Sequence, residues 1–422
     1  MSKKRLHTPE GVRDIYGLEY LQKLSVQEKL HKKITEYGYQ DIQTPTLEFF
    51  DVFSKQVGTV SSKELYKLFD KEGNTLVLRP DFTPSIARCA AKYFMEESIP
   101  IRLSYLGNTY LNTSELQGKL KEVTEIGAEL IGDDTAQADA EMIALAIESL
   151  LSAGLVNFQV SLGEIDFFKG LCEEAGLSCE TELALKDFIS NKNHFGAQEL
   201  LEEEKIKEEY ILAILKVTDM FGSVEALSEA KSYVKNDRSL HAIERLLTVY
   251  EILSFYGVEQ YVSFDLGMLS KYNYYTGVIF KVYTYGIGDA IVKGGRYDSL
   301  LTQFGKEAPS IGFMIIVDDL LSALSRQGIL PKPQMANALL LYEQANLAQA
   351  VSLAHDYRKS GKQMTIIQKS NGKNIQDYLI FAKKQNISFV SEYISSDKIE
   401  IYHIELDQSY QITQNQLLEG IV

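Results

Sequence analysis

Apolar positions recur with two different periods along the chain, and the switches between them divide it into regions. From Tyr20 to Tyr37, Leu21, Leu24, Leu30 and Ile34 fall broadly on one face of a 3.6-residue repeat, which predicts a helix ended by Gly38. The run YQDIQTP then reads as a strand closed at Pro45, since proline has no N–H to give a continuing ladder. Further strands are predicted at NTLVLRP, IRLSYLGNTYL, EIGAELIG and VNFQVSLGE, with helices at DFTPSIARCAAKYF and TAQADAEMIALAIESLLSAG. Strands cluster ahead of helices and do not alternate strictly with them, so the class is α+β.

From about residue 167 to 250 the pattern is charged and helical throughout, as in ETELALKDFISNK and LHAIERLLTVYEILSFYG, and reads as a helical insertion. Strands return at YVSFDLG, GVIFKVYTY and DAIVKGG, followed by a helix at DDLLSALSRQG. The segment ILPKPQMAN, with Pro331 and Pro333, reads as a linker. Beyond it ANALLLYE, LAQAVSLAHDYRKSG, KQMTIIQK, NIQDYLIFAKKQ and ISFVSEY alternate strand and helix, which predicts a small α/β domain of parallel strands. The expected division is 1–166 with 251–330 as the main domain, 167–250 as the insertion, and 336–422 as the C-terminal domain.

A chain of 422 residues with 45% hydrophobic content fits two or three such domains. Its net charge of −15 counts against nucleic acid as a partner, because phosphate binding draws on Lys and Arg, although an acidic chain can still carry a local basic face. Residues 336–422 hold 8 Lys/Arg against 9 Asp/Glu, where an RNA-reading module would be basic. Cys89, Cys172 and Cys179 match no metal spacing, and with six histidines they read as structural thiols, with no metal expected. No stretch approaches the roughly 20 apolar residues of a membrane helix, and the basic N-terminus lacks an apolar run behind it, so a cytoplasmic location is expected.

Four segments carry unusual residues. In LVLRPDFTPSIARCA, Asp81 and Thr83 stand between a strand and a helix; an N-cap is the ordinary explanation, a carboxylate and hydroxyl that hold an amino group the functional one. In EVTEIGAELIG, Glu125 and Glu129 share one face of an apolar strand, where unpaired acids cost solvation, so both are candidates for an ammonium or imidazole partner. The segment MLSKYNYYTGVIFKVYTYG holds Tyr272, Tyr274, Tyr275, Tyr283 and Tyr285, either as ordinary strand residues or as rings stacked on a planar ligand. Gly294 and Gly295 of KGGRYD make either a turn or a close backbone approach to a ligand. No phosphate loop, HExxH, CxxC or nucleophile elbow is present.

Taken in order, LRPDFT, the Glu125–Glu129 strand, YNYYTG, and KGGRYD with IGFMIIVDDL resemble the histidyl-tRNA synthetases over nearly the whole chain. YGYQDIQTPTLE resembles that family's first motif, which builds the class II dimer. The resemblance implies a class II aminoacyl-tRNA-synthetase-like antiparallel sheet with flanking helices, with residues 336–422 as a degenerate anticodon-binding fold. It also implies a histidine pocket: Asp81 and Thr83 on the α-amino group, Glu129 on the imidazole, Tyr274 and Tyr275 as ring walls, and Glu125 where the synthetase has glutamine.

The departures bear on activity. Leu111 aligns with the motif-two arginine, Ser270 with the arginine ahead of the Tyr-Tyr signature, and Asp319 with the arginine of the final motif. Each removes a positive charge, and Asp319 adds a negative one, where adenylate formation needs guanidinium groups on phosphate. A synthetase body without these arginines, opening on HTPEGVRDIYG, is similar to the regulatory subunits of ATP phosphoribosyltransferase. That family implies no catalytic site or cofactor of its own and no nucleic acid. It further implies a complex with a short-form catalytic subunit, a class II-type dimer with a second copy, and L-histidine as feedback effector in the first step of histidine biosynthesis. A divergent synthetase and a free-standing histidine or tRNA sensor are the rival readings.

Overall fold

The protein is described here from a computed structural model, over residues 6–53, 60–113, 119–269, 274–332, 337–395 and 397–419. The chain forms two compact units, one built on Lys23–Pro331 and the other on Lys332–Val422 with Ile15–Gln22.

Among the described residues of the first unit, nine strands form one sheet. Their order is Gln40–Asp41, Ile101–Tyr110, Glu122–Ile131, Ser310–Ile316, Val292–Arg296, Val278–Thr284, Phe158–Glu164, Val262–Asp265 and Phe221–Gly222. The middle of the sheet is antiparallel throughout. Parallel pairs occur only toward its edges, at Gln40–Asp41 with Ile101–Tyr110 and at Phe158–Glu164 with Val262–Asp265. This is the α+β class and the class II antiparallel sheet that the sequence predicts.

The two-residue period of the strands sorts the sheet into two faces. On Glu122–Ile131, Ile126, Ala128 and Leu130 enter the main core with Leu30 and Ile34 of the helix Gly17–Glu36 and with Ile143 and Ile147 of the helix Ala136–Ala153. Glu125, Gly127 and Glu129 alternate with them and face the other way, toward a second cluster of Phe82, Tyr105, Tyr274 and Tyr297.

Several elements differ from expectation. YQDIQTP gives only the two-residue strand Gln40–Asp41. The buried stripe of the first helix is Lys23, Val26, Leu30 and Ile34, while Leu21 and Leu24 are exposed. A lysine can occupy that stripe because its ammonium lies 2.8 Å from the buried Asp318 carboxylate. The strand in NTLVLRP, Thr75–Leu78, belongs to a separate three-stranded sheet between Leu47–Phe49 and Lys67–Phe69, whose three-residue lengths carry no readable alternation.

Six helices run between Ile165 and Tyr256, interrupted by Phe221–Gly222, which joins the edge of the main sheet. The helix Ile165–Ala175 is capped by Glu164, whose carboxylate accepts from Phe167 N. No described helix is long and apolar enough to cross a membrane.

The second unit holds a five-stranded sheet in the order Gln363–Gln368, Asn337–Tyr342, Phe389–Tyr393, Lys398–His403, Gln408–Thr413. The first three are parallel, as predicted, but the last two form an antiparallel hairpin. The all-parallel expectation is therefore corrected. Ile399 and Ile401 alone bury in the first hairpin strand, too sparse a pattern among charged neighbours to stand out in sequence.

Candidate functional site

The exposed-to-solvent side of the second cluster opens into a pocket lined by Asp81, Thr83, Tyr105, Glu129, Tyr274 and Tyr275, with Lys293, Tyr297 and Met314 among the others. It therefore brings together five of the six residues assigned to a histidine pocket. Glu125 lies on the same strand face, one strand pair along from Glu129, but does not line the pocket.

Asp81 stands in the loop that follows Thr75–Leu78, one residue ahead of the N-cap Phe82, and caps the helix in part. One carboxylate oxygen accepts from Thr83 N at 3.0 Å, at the start of the helix Thr83–Tyr93, and the other accepts from Tyr274 Oη at 3.4 Å. Arg79 fixes the loop: it donates to the carbonyls of Asn108 and Thr44 and lies over the Phe82 ring, 4.0 Å from its centroid. Phe82 stacks in turn on Tyr105 at 4.3 Å.

Glu129 is 1% exposed, and hydroxyls rather than cations satisfy it. Thr83 Oγ1 donates to one oxygen at 2.8 Å and Tyr297 Oη to the other at 2.5 Å. Glu125 accepts from Thr109 Oγ1 at 2.8 Å, and its second oxygen is buried with no hydrogen-bond partner. Desolvation pushes both glutamates up to about 8, with the Asp81 charge adding to the effect. Desolvation also raises Asp81. Three carboxyls held this way favour a ligand that brings positive charge and N–H donors.

The rings above them depend on the glycines below. Tyr274 lies 4.7 Å from Tyr275 and perpendicular to Tyr297 at 6.0 Å. A Cβ on Gly295 would lie 2.7 Å from the Tyr275 ring, and one on Gly312 would lie 1.6 Å from Glu129 Oε2. Gly295 of KGGRYD, with Gly312 beside it, is thus a close-approach floor, while Gly294 faces the core against Phe280; the pair is strand, not turn. Arg296 of the same segment faces away and binds Asp139, while Asp298 accepts from Thr276 Oγ1 and holds the segment that follows Tyr275. Counted out to its mouth the pocket encloses about 280 Å³.

The wider wall of tyrosines is not found. Tyr283 and Tyr285 are exposed on the far part of the strand and its turn, and Tyr272 lies outside the described residues. Ser270 also lies outside them. Leu111 follows the strand Ile101–Tyr110, and Asp319 opens the helix Val317–Arg326; neither lines the pocket. Sequence reasoning missed Tyr105, Tyr297 and Lys293 as pocket residues. Tyr297 was legible in principle, since a tyrosine two residues after Gly295 shares its face.

These pKa shifts give a stability prediction. A carboxyl held above its unfolded value binds a proton in the folded state that the unfolded chain has already lost, so folding weakens as pH rises from about 4.5 to about 8. Glu125→Gln is expected to raise the melting temperature at pH 8 and flatten its decline between pH 5 and 8. An unchanged pH profile would count against a desolvated, protonated Glu125.

The family model that matches is histidyl-tRNA synthetase, over residues 11–320. An ATP phosphoribosyltransferase regulatory subunit of Acetivibrio thermocellus is 36% identical over 420 residues, covering 100% of both chains. The chain is a member of the ATP phosphoribosyltransferase regulatory subunit family. A solved structure from Bacillus halodurans, titled an ATP phosphoribosyltransferase regulatory subunit/histidyl-tRNA synthetase, covers 92% of this chain with a TM-score of 0.81 and 30% identity, and 97% of its own length is matched. A histidyl-tRNA synthetase of a Nostoc species superposes equally well, with a TM-score of 0.81 over 98% of both chains at 20% identity, which speaks for the fold alone.

Proposed function

We propose that this chain is the non-catalytic partner of a short-form ATP phosphoribosyltransferase catalytic subunit, needed for the first step of histidine biosynthesis, and that L-histidine bound in the pocket is its feedback effector. The observation that carries the reading is the convergence of five residues that the synthetase resemblance assigns to a histidine pocket, in a chain without the arginines it assigns to ATP. Asp81, Thr83, Glu129, Tyr274 and Tyr275 converge, while the positions that align with the synthetase's ATP arginines are Leu111, Ser270 and Asp319. Burial pushes the Asp319 carboxyl up, with Lys293 and Lys119 opposing the rise and Asp289 and Asp318 adding to it, so a carboxyl stands where the synthetase resemblance places a guanidinium on phosphate. A feedback effect of this kind corresponds to a coupling free energy of about 1–3 kcal/mol between the pocket and the partner's active site.

A second copy fits the exposed apolar residues of the three-stranded sheet. Leu47, Phe49 and Leu68 are exposed on one face of it, an apolar surface of the kind that self-association covers. Phe49→Asp with Leu68→Asp is expected to convert a dimer to a monomer in sedimentation velocity; a dimer that persists would place the interface elsewhere.

Co-expression with a short-form catalytic subunit tests the partnership. A stable hetero-oligomer in size-exclusion chromatography with light scattering, together with no ATP–pyrophosphate exchange by this chain, supports it. Separate elution with histidine-dependent exchange would show a synthetase instead.

A further inference from the structure

Lys293 has no counterpart among the roles that the synthetase resemblance assigns. It lies on the strand Val292–Arg296, where the two-residue period puts Lys293 and Gly295 on the pocket face and Val292, Gly294 and Arg296 on the other. Gly295 pairs with Gly312, which pairs with Glu129, so these three form one row across the sheet. Lys293 pairs with Met314 in the next row on that face, two residues or about 7 Å along the strand from the Glu129 row. Among the described lining residues it is the one that carries positive charge. Its ammonium lies 3.5 Å from Asp289 Oδ2, an acid that Lys119 also approaches at 3.3 Å, so the lysine has N–H donors left for a further acceptor.

Glu129 stands in one row and the Lys293 ammonium in the next, with Glu125 in the row beyond it on the same face, so the lining sets an acid and a cation side by side, as a zwitterion requires. We propose that Lys293 holds the α-carboxylate of the bound amino acid, an inference that rests on the amino-acid reading of the pocket. Without it, a carboxylate would be buried among three acids with no cation opposite. Where the synthetase resemblance places an arginine, this chain has Ser270, and Lys293 supplies the charge from the strand Val292–Arg296. The lysine thus sets specificity: it separates amino acids from the corresponding amines.

The test is calorimetric titration of the full chain with L-histidine and with histamine, which keeps the ring and the amine but lacks the carboxylate. The wild type is expected to prefer histidine by about 10- to 100-fold, the loss of one charge-assisted contact. Lys293→Met should remove that preference, weakening histidine by the same factor and leaving histamine unchanged or tighter, and Lys293→Arg should restore it. A Lys293→Met variant that keeps the preference, or that weakens both ligands equally, would overturn the assignment while leaving the pocket an amino-acid site. A wild-type chain that binds neither ligand would overturn the amino-acid reading itself, and this assignment with it.

Discussion

Glu129→Gln is expected to lower L-histidine affinity by about 10- to 100-fold while leaving the melting temperature unchanged or higher. The loss follows from the chemistry of the buried carboxylate, which is worth about 1.5–3 kcal/mol as a charged hydrogen-bond partner. The gain in stability follows from its desolvation, which holds its pKa near 8 and disfavours the charged form the ligand needs. Gly312→Ala reaches the same end by a different route. Its Cβ would lie 1.6 Å from Glu129 Oε2 and must displace the carboxylate from Thr83 and Tyr297. Titration calorimetry on both variants checks this, and histidine affinity unchanged in either would exclude Glu129 from the ligand's contacts.

The second large effect is on folding. Arg296 donates twice to Asp139 Oδ1, at 2.9 and 2.6 Å, and once to the Asp133 carbonyl at 3.0 Å, while Arg245 donates to Asp139 Oδ2 at 2.7 Å. Asp139 is fully buried in the helix Ala136–Ala153, so its charge depends on these two guanidinium groups. Arg296→Met is expected to destabilise the first unit by about 3–5 kcal/mol, the usual cost of leaving a buried charge short of a partner. The double variant Arg296→Met with Asp139→Leu should recover much of that loss, because the unpaired charge goes with it. Urea midpoints measure both, and a double variant as unstable as the single one would refute the account. The Arg296 carbonyl also accepts from Thr276 N at 2.8 Å, next to Tyr275, a backbone bond that the substitution leaves in place.

The legible parts of this protein are those where pattern and chemistry agree. Glu125 and Glu129 stood out because two acids interrupt an apolar strand, and the structure buries both on one face. Asp81 and Thr83 stand out by their place between strand and helix, and Asp81 bonds both the helix start at Thr83 N and the pocket ring of Tyr274. What sequence could not give was partnership across distant segments. Tyr297 meets Glu129 through strand pairings set by the whole sheet; its place two residues after Gly295 gives its face but not its partner. Lys23 reads as a break in a helix stripe until Asp318, far along the chain, is placed opposite it. Tyr283 and Tyr285 failed the other way, because tyrosine density alone does not distinguish a pocket wall from a solvent-facing strand end.

The most direct test of the account is phosphoribosyl-ATP formation by a short-form catalytic subunit from the same source, with and without this chain, while L-histidine is titrated in. The account predicts activity only with both chains, falling as histidine rises, with the fall lost in Glu129→Gln. Full activity from the catalytic subunit alone, unaffected by this chain or by histidine, would contradict it.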